Sequence, residues 1–169
     1  MVEMEQGYGP RNGLGRAIAE LGEGNLSAAK NIVEDTELEP RVTRLIAASD
    51  GASADQVRRS LDMPLSQGID AATVLPTAAL ALRQGRDATP YFKAASEFFD
   101  DMPAVERFLE AVRAGKPQRE CEAALRHAAP EARLFAYVAA VVLQKDRAPA
   151  EWRKIASTML FAPERPHFY

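Results

Sequence analysis

Two stretches decide how this chain is read: PYFKAASEFFDDMPAVERFLEAV, residues 90–112, and PQRECEAALRHAAPEARLFAYVA, residues 117–139. Each opens on a proline and meets a second one 13 residues later, Pro103 and Pro130 respectively. Proline has no N–H and a fixed φ, so it fits the first turn of a helix but not its interior. Apolar residues return at helical spacing: Val105, Phe108, Leu109 and Val112 in the first stretch, Cys121, Ala124, Leu125 and Ala128 in the second. That spacing lays one apolar stripe along a helix. Each stretch therefore reads as two helices joined by a turn. Superposed at an offset of 27 residues, they pair Ala94 with Cys121, Phe98 with Leu125 and Phe108 with Phe135.

The same punctuation runs outward. Prolines fall at 64, 76, 90, 103, 117 and 130, spaced 12 to 14 residues apart. Each marks the start of a helix of about ten residues. Thr89 is the expected N-cap before Pro90, and Gly115 closes the helix before Pro117. Pro76 either starts a helix or kinks one running from about Ile69 to Gln84. Further stripes occur at Leu14, Ala17, Ile18 and Leu21, at Val42, Leu45 and Ile46, and at Trp152, Ile155, Ala156, Met159 and Leu160. PEARLFAYVAAVVLQ, from Pro130, is apolar nearly all round and predicts a helix buried on several sides. No segment alternates with β-branched residues, so no strand is expected. The pattern predicts an all-α fold, a helical-hairpin repeat (an α-solenoid) of about nine or ten short helices. Residues 1–10 form a lead, 11–162 the repeat domain and 163–169 a Pro/aromatic tail.

With 169 residues, 47 % of them apolar, the chain is large enough for one core. Its net charge of −3 disfavours nucleic acid as a partner, since backbone phosphates select basic faces. Cys121 is the one cysteine, so no disulfide forms within the chain. The N-terminus has neither the basic region nor the apolar run of a signal peptide, and no window approaches 18 apolar residues. The expected location is cytoplasmic, with no membrane contact.

A family resemblance comes from EGNLSAAKNIVEDTELEP, residues 23–40. It resembles the second helix of a tetratricopeptide repeat, with Gly24 in the turn, Ala28 or Ala29 on the helix, and Pro40 closing it one residue early. Related fragments recur as LALRQGRDATPYFKAA, residues 80–95, and FLEAVRAGKPQRECEAAL, residues 108–125. The later period, near 27, departs from the family's 34 or so, and the aromatic residue that opens the family's first helix is missing. The resemblance implies a concave groove lined by the first helix of each pair, starting here near Pro64, Pro90 and Pro117. It places Lys93, Glu97, Arg119 and Arg126 toward a bound peptide. It also implies an adaptor, chaperone or assembly subunit rather than an enzyme.

Four other features invite function. GPRNGLGRAIAE, residues 9–20, resembles the cofactor turn of short-chain dehydrogenases. That turn needs a buried strand before it, whereas MVEMEQ precedes it here, and neither Tyr91 nor Tyr137 is followed by lysine four residues on. No cofactor is expected. Residues 53–75 are the alternative, a DNA-binding helix-turn-helix with Arg58 and Arg59 on phosphates and Ser66 and Gln67 on base edges. His127 and His167 are the only histidines and have no partner at ligand spacing, so no metal or catalytic site is expected. The tail FAPERPHFY, residues 161–169, brings Arg165, Phe168 and Tyr169 together. It either caps the last helix pair or anchors another protein, including a second copy of this chain.

Overall fold

The computed structural model describes residues 16–21, 23–34 and 36–161, and among these every regular element is helical. In chain order they are α1 (16–21), α2 (Leu26–Val33), α3 (Glu39–Ala48), α4 (Ala54–Asp62) and α5 (Val74–Arg83). There follow α6 (Thr89–Ala95), α7 (Met102–Arg113), α8 (Gln118–Ala123), α9 (Pro130–Gln144), a 3-10 turn at Lys145–Arg147, and α10 (Ala150–Phe161). The fold is all-α. The lead 1–10, Gly13 and the tail 163–169 lie outside the described residues.

Proline marks most of the starts. Pro40, Pro90, Pro103 and Pro130 occupy the first turn of α3, α6, α7 and α9, and Pro117 is the N-cap of α8. Pro76 sits in the first turn of α5, so it starts that helix and kinks nothing. Thr89 is not a cap but the first residue of α6. Its amide donates instead to Asp87 Oδ1 at 3.0 Å, because Asp87 reaches back across the turn.

The hairpins α6–α7 and α8–α9 repeat one unit. Gly85 after α5 and Gly115 after α7 carry the same pair of bonds. Arg86 N donates to Ala81 O and Gly85 N to Leu82 O; Lys116 N donates to Ala111 O and Gly115 N to Val112 O. These are Schellman closures, with glycine in the left-handed region, φ +72° and +75°. The inter-helix turns lie side by side, where Ala129 N donates to Asp101 Oδ2 at 2.8 Å.

The register differs from the expected one. Phe98 is 40 % exposed, whereas Phe99 is buried at 5 % and Leu125 at 0 %. Ala95, Phe99 and Met102 therefore correspond to Cys121, Leu125 and Ala128, an offset of 26 rather than 27 in the first helix of the unit. The second helix keeps 27, with Val105 on Ala132 and Leu109 on Ala136. The turn before Pro130 thus holds one more residue than the turn before Pro103.

The helices do not stay in an open row. An open stack sets each hairpin against its neighbours alone. Here α9 packs against α5 as well as α7 and α10. Both partners are rich in alanine: Ala78, Ala79 and Ala81 on α5, Ala136, Ala139 and Ala140 on α9, all fully buried. Small side chains let two helix axes approach closely. Val138 of α9 and Ala156 of α10 also share a core with Ala17, Ile18, Leu21, Ala29 and Val42, so α1–α3 close onto the last hairpin.

Pro64 starts no helix. It opens the connection 63–73, held down by Arg44 of α3. Arg44 is 1 % exposed, and its guanidinium donates to Gln67 O at 2.8 Å, Ser60 O at 3.1 Å and Pro64 O at 2.9 Å. Burial lowers its pKa from the ordinary arginine value, with Tyr91 opposing. Asp70 pairs with Arg41 at 2.7 Å and accepts from Ala72 N and Thr73 N. Gly68 crosses Pro40 so closely that a Cβ would lie 2.6 Å from the Pro40 carbonyl oxygen, at φ +71°. Gly68→Ala is expected to cost about 2 kcal/mol or more, seen as a lower midpoint in urea unfolding. An unchanged midpoint would mean the connection relaxes freely.

Candidate functional site

Three helices end at one place. The C-termini of α3, α5 and α9 border a cleft of about 350 Å³, closed on its other sides by α1, the start of α2, and α10. Its floor is aliphatic: Leu21, Leu26, Val138, Val141 and Ala156. Its rim carries both signs, Arg83, Lys145 and Arg153 against Asp50 and Asp146.

The rim is explained first by the helix ends. Terminal carbonyls of a helix lack intrahelical partners and carry partial negative charge. Arg83 Nη1 donates to Val142 O at 2.7 Å, bonding the end of α9 from the end of α5. Arg153 Nε donates to Ala148 O at 3.2 Å. Lys145, at φ +53°, turns the chain out of α9. Burial lowers the Arg83 pKa, and the charge of Asp50 opposes that shift. Yet no described carboxylate forms an ion pair with Arg83, whereas Arg41, Arg58 and Arg86 each have one. One edge of a half-buried guanidinium is thus left facing the cleft.

The cleft does not stop at α2. A second, shallower depression is lined by Asn25, Ser27, Ser53 and Gln56, and it shares Gly24, Leu26 and Gly51 with the first. The two join into one channel, from Ser157 of α10 to Gln56 of α4. The wall at Gln56 is rigid, since Gln56 N donates to Ser53 Oγ and Ser53 N to Gln56 Oε1 in a reciprocal cap.

The residues chosen from sequence fall elsewhere. Lys93 on α6 and Arg119 on α8 are exposed at equivalent positions of the repeated unit. Glu97 and Arg126 are exposed in the turns after α6 and α8. None of the four lines the channel. Arg165, Phe168 and Tyr169 lie outside the described residues, as does His167. Within 53–75, Arg58 is exposed and paired with Asp55 at 2.8 Å. The second helix of that segment, α5, is buried continuously from Val74 to Ala81 and has no long face free for a groove.

Cys121 is buried, and its Sγ donates to Lys116 O at 3.5 Å. Burial raises its pKa, with Glu120 and Glu122 adding to the rise, so it stays a thiol in the core. His127 is exposed. Among the described residues no three His, Cys, Asp or Glu side chains gather as a metal site would require, and no helix is long and apolar enough to cross a membrane. Comparison with family models, curated proteins and solved structures found no match.

Proposed function

We propose that this protein is a helical-hairpin repeat domain that binds a segment of another protein, as an adaptor, chaperone or assembly subunit does. Its unit is tetratricopeptide-like, but the row of hairpins is closed on itself. The observation that carries the reading is the channel: an aliphatic floor under a rim of both charges, open along its length at the shared residues Gly24, Leu26 and Gly51. Concave surfaces with an apolar base and a few placed polar groups are where ligands bury most of their area. A channel open along its length suits an extended chain better than a compact small molecule.

Selection from a displayed peptide library tests it. Wild-type protein is expected to enrich peptides that no longer bind Ser157→Trp, a substitution at an exposed lining position that fills the cleft. Unchanged melting of the variant shows that the fold is intact. Enriched peptides that bind both proteins equally, or no enrichment at all, would remove the channel from the function.

A further inference from the structure

The rim of the channel narrows the ligand further, and this step rests on the peptide-binding reading above. Of the five charged rim residues, Lys145, Asp50 and Asp146 are exposed, where water screens them. Arg83 differs. It is only half exposed, it stands over the aliphatic floor, and it spends one N–H on Val142 O without an ion-paired carboxylate among the described residues. A guanidinium is a planar fork, so a second edge remains for a bidentate carboxylate. Arg153 borders the same cleft and likewise has one described bond, to a backbone carbonyl. The floor offers no aromatic ring to stack on, only aliphatic side chains. Because the channel continues past Leu26 to Gln56, a bound chain runs through it and need not end in it.

From this we infer that the channel takes an internal, extended peptide segment in which an aliphatic side chain lies beside an acidic one. The aliphatic group sits on Val138 and Val141, and the Asp or Glu carboxylate bonds Arg83, with Arg153 adding charge.

The test uses the full chain and peptides from the selection above, made with both ends blocked. Asp or Glu next to Leu, Ile or Val is expected among them. Changing that acid to its amide should weaken binding about tenfold, as loss of one charge-assisted pair implies. In Arg83→Met the same change should have little effect, because the partner is gone. Arg83→Lys, which keeps the charge but loses the fork, should recover part of the difference. The inference is overturned while the peptide-binding reading stands if peptides sensitive to Ser157→Trp carry no acidic residue, or if the amide change costs as much in Arg83→Met. If no peptide is sensitive to Ser157→Trp, both fall. Binding seen only after residues 162–169 are removed, or a dimer dispersed by Ser157→Trp, would also overturn it, because the channel would then belong to this chain or its copy.

Discussion

Arg44→Met is expected to lower the stability of the fold by about 3 kcal/mol, read as a reduced urea midpoint. The ordinary argument about buried charges runs the other way. Replacing a buried ion pair with apolar residues is often neutral or stabilising, because both charged partners are removed. Arg44 has no such removable partner. Its three acceptors are the backbone carbonyls of Ser60, Pro64 and Gln67, which remain when the side chain changes. Each orphaned carbonyl costs about 1–3 kcal/mol if it stays dry. Pro64 and Gln67 are exposed residues, so their carbonyls can turn to water, and the full sum is not reached. Ser60 is wholly buried at the end of α4, and its carbonyl cannot turn out. Ser60→Ala is the local control. The Ser60 hydroxyl is buried without a partner, so its removal should be neutral or slightly stabilising. A loss of less than about 1 kcal/mol in Arg44→Met would show that the 63–73 connection holds without its clasp.

Arg44 also shows where sequence reasoning reaches its end. The helices were legible because their signals are local. Proline in a first turn, glycine after a last turn and an apolar stripe all act within a few residues. Pro64 misled because it has the same local look as Pro90. Its segment becomes a connection because Arg44, 20 residues away in the chain, binds its carbonyls. The candidate site fails to show for the same reason. The Gly85 closure places Arg83 in the last turn of a helix, and that much is readable. The partner that orients it, Val142, lies 59 residues away. Lys93 and Arg119 were chosen as groove residues on the premise of an open row. The alanines of α5 and α9 draw those helices together instead, and the concave surface forms at the helix ends.

Phe108→Ala is expected to cost more than any other single truncation considered, about 4 kcal/mol. Phe108 is 0 % exposed and stands where α7 meets α9 and α10. Its ring meets Tyr137 edge-on at 5.6 Å and Trp152 at 5.3 Å, while those two stack at 5.6 Å. Trp152 in turn donates from Nε1 to Glu122 Oε2 at 2.8 Å, so the cluster ties α8 to α10 as well. Removing the central ring leaves a cavity among groups fixed on four helices, which cannot all collapse into it. Trp152 is the chain's one tryptophan, so its fluorescence reports the loss directly. The repeat supplies the comparison. Phe135 occupies the equivalent place in the next unit, yet it is only half-buried and faces the single ring of Phe99 at 5.8 Å. Phe135→Ala should therefore cost about half as much. Equal losses would mean that the two units bear the same load and that the aromatic cluster adds nothing. Unequal losses would place the extra stability in the contacts that close the row of hairpins, which the repeated pattern alone does not contain.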